Sequence, residues 1–249
     1  MALIPYKEAL SRLMNDVVCR KETEYVSLSA LTGRILAQDV CAQFDAPRID
    51  NSAMDGYAVC GLQQQNWLLT DSIAAGDATH GLQLQTGQAM RLLTGAAIPA
   101  GTEAVIAQED VNVLDGLLVC DRPLKSGQHI RRLAEEYAAG EVLLPAQMRL
   151  NAAAVGVIAS QGLQHVACFR RIRITVLSSG NELQVPGCEL KENQIYDSNR
   201  AMLLAALSDA CFEVSDGGLL ADDLPSSTDS LQAAARHNDV VLVSGGASV

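Results

Sequence analysis

Aromatic residues are scarce in this sequence, which has three Phe, five Tyr and one Trp among its 249 residues. The core must therefore be built from Ala, Leu, Val and Ile. No apolar run approaches the roughly 20 residues that a membrane-spanning helix needs. The N-terminal sequence MALIP also lacks the basic and apolar regions of a signal peptide. These absences argue against a membrane partner and against secretion.

Basic residues are also few, since 18 Lys and Arg stand against 29 Asp and Glu, giving a formal charge of −11. A nucleic-acid-binding protein needs a basic face to neutralise phosphates, so we expect no nucleic-acid partner. The seven cysteines are scattered, with no CxxC pair, as is typical of reduced thiols in a cytoplasmic protein. The hydrophobic fraction of 49% indicates a folded chain of one or two domains.

The pattern of apolar and turn-forming residues changes near residue 40. Before it, apolar residues at 10, 13, 14, 17 and 18 follow the spacing of one helical face, and Ser29 and Gly33 would bound a short second helix. Beyond it, turn residues recur to about residue 141, and apolar runs such as 104–107, 117–119 and 142–144 are short. Asp115-Gly116, between two apolar runs, predicts a hairpin. We expect this segment to be a β-rich module.

The last part of the chain alternates between helix and strand patterns. Asn151 caps a predicted helix over Ala152–Ser160. Strands are predicted at 172–177, 212–214 and 240–243, alternating with helices at 199–211, capped by Asp197 or Ser198, and from Pro225 to about 237. This alternation predicts a parallel sheet. Because the chain stops just after a glycine loop, we expect this domain to be incomplete.

Two glycine loops follow apolar strands, SSGNE at residues 178–182 and SGGAS at residues 244–248. Unpaired backbone N–H groups at the start of a helix favour an anion such as phosphate. Ligands of open α/β sheets also collect at the carboxyl ends of the strands. The alternative is that both loops are ordinary turns between a strand and a helix.

Asp55 and Thr94 lie in two other segments that are rich in turn residues. Asp55 belongs to the polar run at 45–59, where a fixed turn would suit an oxygen ligand for Mg²⁺. Thr94 ends an apolar stretch, and its hydroxyl and backbone N–H would suit an oxyanion. In both cases the alternative is a simple polar turn.

Two charged clusters are further candidates. Arg131 and Arg132 precede the acidic pair Glu135-Glu136, a combination that can bind phosphate through arginine while a carboxylate holds a metal. The alternative is a self-paired surface. The pair Asp222-Asp223 follows a predicted strand and suits Mg²⁺, but it also suits the first turn of a helix.

Together these segments resemble the MoeA/gephyrin family of molybdopterin molybdenumtransferases. The run DNSAMDGYAV at residues 50–59 is highly specific for that family. The other matching segments follow in the family's order along nearly the whole chain: FDAP at 44–47, RLLTGA at 91–96, QED at 108–110, GQHIRR at 127–132, SGNEL at 179–183, QIYDSN at 194–199, Asp222-Asp223 and SGGASV at 244–249.

The resemblance implies a reaction in molybdenum cofactor biosynthesis. The family uses Mg²⁺ and molybdate, cleaves the phosphoanhydride of adenylylated molybdopterin, releases AMP and leaves molybdenum on the dithiolene sulfurs. The substrates are anionic and the protein is acidic, so Mg²⁺, helix N-termini and clustered basic residues must reverse the charge locally. Expected partners are a second copy of the chain, molybdopterin adenylyltransferase and other cofactor-synthesis proteins. A dimerising scaffold and an adenylyltransferase are the alternative functions.

The resemblance also implies site residues. Asp55, Thr94, Glu182 and Asp222 match functional positions in the family's cleft. Asp55 and Asp222 would bind Mg²⁺ or orient the substrate, Thr94 would contact an oxyanion, and Glu182 would shape the cofactor pocket. Cofactor-binding candidates are Ser179, Gly180, Ser244, Gly245 and Gly246 in the loops, with Arg131 and Arg132 as anion contacts.

Three residues depart from the family's usual pattern. Glu136, the third metal candidate, stands where the family usually has Asp, Ala134 where it usually has Gly, and Asn181 where it usually has Asp. Glu136 keeps the charge on a side chain that is longer by one methylene, whereas Asn181 removes a negative charge.

The fold expected from the resemblance is α/β and multidomain. Residues 1–41 and 142–167 would form an extended helical module, residues 42–141 an inserted β-rich module, and residues 168–249 a parallel α/β molybdopterin-binding domain of the MogA type, incomplete at its end. The family forms homodimers whose cleft combines the inserted module of one chain with the α/β domain of the other. We expect this chain to hold half of such a cleft and to be inactive alone.

Overall fold

The computed structural model describes residues 4–17, 22–76 and 81–246. The chain divides into two compact units. The inserted unit spans Cys41–Leu143, and the outer unit combines Met1–Val40 with Leu144–Val249. The insertion predicted from the sequence runs from 42 to 141.

Helices and strands are numbered in chain order. The described residues form the helices α1 (Tyr6–Asp16), α2 (Ala152–Ser160), α3 (Ser198–Ala206) and α4 (Leu224–His237). Their strands are β1 (Thr23–Ser27), β2 (Val40–Cys41), β3 (Asn51–Ser52), β4 (Gly56–Val59), β5 (Asn66–Ile73), β6 (Gln88–Leu92), β7 (Ala104–Ala107), β8 (Asn112–Leu114), β9 (Leu117–Val119), β10 (Ile130–Arg131), β11 (Val142–Leu144), β12 (His165–Phe169), β13 (Ile172–Ser179), β14 (Leu183–Gln184), β15 (Ile195–Tyr196), β16 (Phe212–Leu220) and β17 (Val240–Ser244).

The inserted unit is built on a six-stranded sheet in the order β7-β4-β6-β5-β9-β8. Neighbouring strands are antiparallel except for β5 and β6, which are parallel. The predicted hairpin is confirmed, because Asp115 and Gly116 join β8 to β9 with φ of +50° and +79°, the positive values of a type I′ turn. Trp67 is buried, and mostly small or aliphatic side chains fill the rest of the core, including Val59, Ala89, Leu92, Val105, Ile106 and Leu118.

The outer unit contains a three-stranded parallel sheet in the order β16-β13-β17. Helix α3 packs against β13, and α4 packs against β16 and β17. Helix α2 begins as predicted, since the side chain of Asn151 accepts the backbone N–H of Ala154 at 2.9 Å. The predicted alternation of helices and parallel strands is therefore confirmed.

Two predicted boundaries in this part of the chain are wrong, the end of a helix and the end of a strand. Helix α3 ends at Ala206, because the side chain of Asp209 accepts the backbone N–H of Cys211 at 2.9 Å and turns the chain before β16. Strand β16 continues to Leu220, because Gly217 and Gly218 sit in an irregularity of the ladder with β13 and do not end the strand.

The N-terminal part of the outer unit differs more from the sequence pattern. The predicted short helix is a single 3₁₀ turn, Leu28–Ala30, because the backbone N–H of Gly33 donates to the carbonyl oxygen of Leu150. Helix α1 forms, but Leu13 and Met14 on its apolar face are each 66% exposed, and Val18 lies outside the described residues. Within the described residues, none of the helices combines the length and the apolar character that a membrane span requires.

Candidate functional site

Asp55 and Thr94 meet on the inserted unit because their strands pair. Asp55 immediately precedes β4 and Thr94 follows β6, and the register places Gly56 opposite Leu92. The backbone N–H and the hydroxyl of Thr94 both donate to Oδ1 of Asp55, at 2.6 and 2.7 Å. These bonds, with a smaller contribution from the charge of Arg91, lower the pKa of the Asp55 carboxyl. The exposed carboxylate is therefore ionised at neutral pH.

The backbone around Asp55 is fixed by Ser52 and Gly56. The hydroxyl of Ser52 donates to the carbonyl oxygen of Met54 at 2.6 Å. A Cβ at Gly56 would lie 2.0 Å from the carbonyl oxygen of Ile106, so only glycine fits where β4 runs beside β7. Steric contact with the sheet thus holds the turn that presents Asp55.

Thr94 uses both of its donors within the protein. The sequence assigned these donors to an oxyanion, but in the structure both are bonded to Asp55. Thr94 therefore orients the carboxylate, and a direct contact between Thr94 and an oxyanion stays a prediction.

The two arginines of the inserted unit have different surroundings. Nη1 of Arg132 lies 2.6 Å from Oδ2 of Asp50, whose Oδ1 accepts the backbone N–H of Leu133 at 2.8 Å. The bond from Leu133 first, and then the one from Arg132, lower the pKa of the Asp50 carboxyl. The Arg131 side chain is exposed and makes no hydrogen bond or ion pair with any residue that the structure describes. Of the two, Arg131 is the one whose charge is available to an anion.

The two residues of the neighbouring acidic pair, Glu135 and Glu136, also differ in their partners. Oε2 of Glu135 accepts the backbone N–H of Arg132 at 2.6 Å and closes the turn. Within that turn Ala134 has φ of +60°, a left-handed conformation that glycine adopts more easily. Glu136 is exposed, and its carboxylate has no partner in the described part of the chain. Glu136 is therefore the carboxylate of this pair that is free to bind a ligand.

A cavity of about 160 Å³ lies in the outer unit at the carboxyl ends of β13 and β17. Its wall includes Ser179, Glu182, Tyr196, Ser244 and Gly245. The loops after the two strands approach closely, since a Cβ at Gly245 would lie 2.3 Å from the carbonyl oxygen of Ser179. Parallel strands therefore bring together at this cavity three of the predicted loop residues, Ser179, Ser244 and Gly245.

The backbone conformation at position 180 of the first loop also favours glycine. Gly180 has φ of +151°, and a Cβ there would lie 2.7 Å from each carboxylate oxygen of Glu182. The Glu182 carboxylate thus folds over the loop backbone. In the second loop, a Cβ at Gly246 would lie 3.9 Å from the hydroxyl of Ser179, whereas Ala247 and Ser248 lie outside the described residues.

The adjacent carboxylates Asp222 and Asp223 have separate roles. Asp223 caps α4, where its side chain accepts the backbone N–H of Ser226 at 2.9 Å and its pKa is lowered by that bond. Oδ1 of Asp222 accepts the hydroxyl of Ser179 at 3.2 Å. Asp222 is thereby linked to the loop that lines the cavity, while Asp223 is committed to the helix.

Two residues of this region were not identified as site residues from the sequence. Asp197 lines the cavity and pairs with Arg200 beneath it. One feature of the sequence could have identified them: Arg200 is a basic residue in the first turn of a predicted helix, where the helix dipole disfavours a positive charge. No group of three or more His, Cys, Asp or Glu side chains that could hold a metal occurs among the described residues.

Comparisons with known proteins agree with the resemblance. Residues 4–162 match the family model described as the MoeA N-terminal region, domains I and II. Residues 175–249 match the model described as a probable molybdopterin binding domain.

Curated relatives match over nearly the whole chain. The molybdopterin molybdenumtransferase of Haemophilus influenzae is 37% identical over 99% of this chain and 62% of its own length. That of Nostoc is 35% identical over 92% of this chain and 54% of its own length. The chain therefore spans between about half and three fifths of the length of these relatives.

A solved structure, the molybdopterin biosynthesis MoeA protein of Pyrococcus horikoshii OT3, is similar with a TM-score of 0.90. It is 31% identical and matches 98% of this chain and 67% of its own. The resemblance inferred from the motifs is confirmed. The chain belongs to the MoeA family, whose curated members are named molybdopterin molybdenumtransferases.

Proposed function

We propose that this chain supplies the substrate-binding surfaces of a molybdopterin molybdenumtransferase, which inserts molybdate into adenylylated molybdopterin in a Mg²⁺-dependent reaction and releases AMP. The observation that carries the proposal is the cavity of the outer unit, where glycine loops from two parallel strands meet beside Ser179, Glu182 and Asp222. Ligands of open α/β sheets bind at this edge of the sheet.

The loops offer hydroxyl and backbone donors to an anionic ligand. Gly245 lines the cavity and leaves no space for a side chain, because a Cβ there would meet the carbonyl oxygen of Ser179. A phosphate can therefore approach backbone N–H groups at this wall. The hydroxyl of Ser179 donates to Asp222 and can accept a further bond. We assign the pterin-linked phosphate to this wall and the shaping of the pocket to Glu182.

Carboxylates would repel an anionic substrate, so the reaction needs a cation that binds to both. Mg²⁺ is usually held by one or two carboxylates together with water and substrate phosphates. Asp55, Asp222 and Glu136 fit that use, because each is a separate carboxylate and none belongs to a preformed cluster within the described residues. When bound, Mg²⁺ would neutralise the phosphoanhydride oxygens. Thr94 holds Asp55 ionised and oriented, and Arg131 offers an additional positive charge.

A dimerising scaffold is the second candidate. It is favoured by the apolar face of α1, where Leu13 and Met14 are largely exposed. Large exposed apolar patches mark interaction surfaces, and we propose that a second copy of the chain covers this one. A cytoplasmic location and a partner that adenylylates molybdopterin are part of the same proposal.

The test measures binding and turnover separately. Adenylylated molybdopterin is titrated into the chain with Mg²⁺. AMP release after adding molybdate is followed in a chain extended past Val249 to the length of the curated relatives, because we expect residues 1–249 to be inactive alone. Asp222→Asn is expected to weaken binding about tenfold, and Asp55→Asn to lower AMP release about a hundredfold.

Asp110→Asn is the matched control, because the side chain of Asp110 pairs with the exposed Arg122 and is not one of the proposed site residues. Binding without turnover in the extended wild-type chain, together with dimers in light scattering, would favour the scaffold. Absence of binding to the wild-type chain would refute the assignment of the cavity.

A further inference from the structure

A buried arginine lies between the cavity and strand β16. The Arg200 side chain is 9% exposed and contacts two carboxylates. Its Nε lies 2.9 Å from Oδ2 of Asp197, and its Nη1 lies 2.6 Å from Oδ1 of Asp216. The Asp197 side chain is 1% exposed and the Asp216 side chain 51%. Charges removed from water in this way are tolerated only with such partners.

Local helix stability does not explain Arg200. It lies in the first turn of α3, where the positive end of the helix dipole disfavours a cation. Asp197 already caps the helix, because its Oδ1 accepts the backbone N–H of Arg200 at 3.1 Å. A neutral residue would therefore serve the helix better, and the charge of Arg200 requires another reason.

The contacts of Arg200 reach both strands that carry the cavity residues. On one side, Asp197 also accepts the hydroxyl of Ser178 at 3.1 Å, and Ser178 directly precedes Ser179. On the other side, Asp216 also accepts the backbone N–H of Gly218 at 2.9 Å, within the irregular stretch of β16. Beyond that stretch the chain leads to Asp222.

We propose that Arg200 is a positioning residue that fixes the separation between Ser179 and Asp222. Two side-chain connections then supplement the backbone ladder at the ends of β13 and β16: the Ser179–Asp222 bond, at 3.2 Å, and the buried chain Ser178–Asp197–Arg200–Asp216. Without the guanidinium, the buried Asp197 carboxylate has no cationic partner, and the irregular stretch of β16 loses its bond to α3. The consequence for ligand binding rests on the proposed function, whereas the consequence for the loop does not.

The variants separate positioning from general stability. Arg200→Met removes the charge, and Arg200→Lys keeps the charge but cannot reach both carboxylates in the same forked geometry. Asp216→Asn, at a half-exposed position, is the milder variant if Arg200→Met does not fold. Arg149→Met is the matched control, because it breaks another arginine–aspartate pair of the outer unit, Arg149–Asp209, whose residues do not line this cavity.

Amide hydrogen exchange in the ligand-free chain tests the loop directly. Arg200→Met, or Asp216→Asn in its place, is expected to speed exchange at residues 178–183 by about tenfold, and Arg200→Lys by less. Arg149→Met is expected to leave these amides unchanged. Equal exchange at 178–183 in the wild type and the Arg200 and Asp216 variants would overturn the proposal, whatever the chain binds.

Binding of adenylylated molybdopterin gives the second measurement. Ser179→Ala and Arg200→Met are each expected to weaken binding about tenfold, and the double variant also about tenfold, because Arg200 acts through the Ser179 loop. A hundredfold loss in the double variant would show independent effects and overturn the proposal. If the wild-type chain binds nothing, the proposed function fails and the exchange result alone decides the role of Arg200.

Discussion

Each unit of the protein places an aspartate beside a hydroxyl, but the two aspartates are held by different means. In the inserted unit, Asp55 accepts two bonds from Thr94, and the backbone of its turn is fixed by steric contact at Gly56. In the outer unit, Asp222 accepts one bond from Ser179, and the loop rests on buried charges. The first arrangement depends on backbone fit and the second on electrostatic pairing, so the two should fail under different changes.

Each unit also contains a pair of adjacent carboxylates, Glu135-Glu136 in the inserted unit and Asp222-Asp223 in the outer unit, and the two members of each pair have different partners. Glu135 closes a turn and Asp223 caps a helix, while their neighbours Glu136 and Asp222 keep carboxylate oxygens for other partners. An adjacent carboxylate pair thus divides its work, one member completing the backbone hydrogen bonds and the other remaining available to a ligand.

The largest effect is expected at Gly56 of the inserted unit. Gly56→Ala places a Cβ 2.0 Å from the carbonyl oxygen of Ile106, which forces β4 away from β7. We expect a loss of about 3 kcal/mol or more in the free energy of unfolding. Trp67, the one tryptophan of the chain, reports this unit by fluorescence during urea unfolding.

Gly116→Ala is the control for that change. A Cβ at Gly116 meets nothing within 4 Å, although φ is +79°, so only the left-handed backbone is strained, at a cost of about 1 kcal/mol. Equal losses in the two variants would show that β4 can move away from β7 and that backbone fit does not hold Asp55.

The next effect concerns a charged pair of the outer unit. The carboxylate of Asp239 accepts hydrogen bonds from both terminal nitrogens of Arg170, at 2.9 and 3.1 Å, and from the backbone N–H of Arg173, at 2.9 Å. These bonds hold the pKa of the Asp239 carboxyl far below its ordinary value. A carboxyl with a lowered folded pKa adds stability above its unfolded pKa, about 3.9, and loses it as the pH falls towards the folded value.

Asp239→Asn is therefore expected to lower the free energy of unfolding at pH 7 by about 2 kcal/mol and to weaken its dependence on pH below about 4. Amide hydrogen exchange along β13 and β17, followed as a function of pH, measures the free energy of unfolding of this unit. Asp110→Asn in the inserted unit, which breaks a pair with a mostly exposed Arg122, should lose less than about 1 kcal/mol. A pH dependence unchanged by Asp239→Asn would contradict the assignment.

Local signals in the sequence were sufficient for much of the fold. Asp115-Gly116 predicted its hairpin and Asn151 predicted its helix, because both act through neighbouring backbone groups. The predictions of a helix ending at Gly33 and of a strand ending at residue 214 were wrong for the opposite reason. The backbone N–H of Gly33 donates to Leu150, far along the chain, and β16 continues to Leu220 in its ladder with β13, so tertiary pairing decided both.

The candidate site was predicted by residue type more reliably than by contact. The sequence pointed to Asp55 and Thr94 as site residues. It could not show that both donors of Thr94 reach Asp55, because that contact depends on the register of β4 and β6. Similarly, Asp197 was foreseen as a helix cap, whereas its pairing with Arg200 and the reach of Arg200 to Asp216 depend on where β16 runs.

A smaller and opposite change is expected at Ala134. This residue has φ of +60°, so Ala134→Gly should relieve strain and raise the free energy of unfolding by about 0.5–1 kcal/mol, followed by Trp67 fluorescence. Ala139→Gly, at an ordinary backbone angle, should lower it slightly. Destabilisation by Ala134→Gly would mean that the turn around Glu135 and Glu136 is held without strain.

The smallest effect on stability, and the sharpest on the site, is expected from Thr94→Val. Valine keeps the backbone N–H but lacks the hydroxyl, the larger cause of the lowered pKa of Asp55. The pKa of the Asp55 carboxyl should therefore rise towards its ordinary value, with almost no change in unfolding because both groups are exposed. A ¹³C NMR titration of the Asp55 carboxyl measures it. Thr94→Ser, which retains the hydroxyl, should titrate as the wild type. If the Val and Ser variants titrate alike, the backbone N–H alone holds Asp55, and the threonine hydroxyl is free to meet the oxyanion that the sequence first assigned to it.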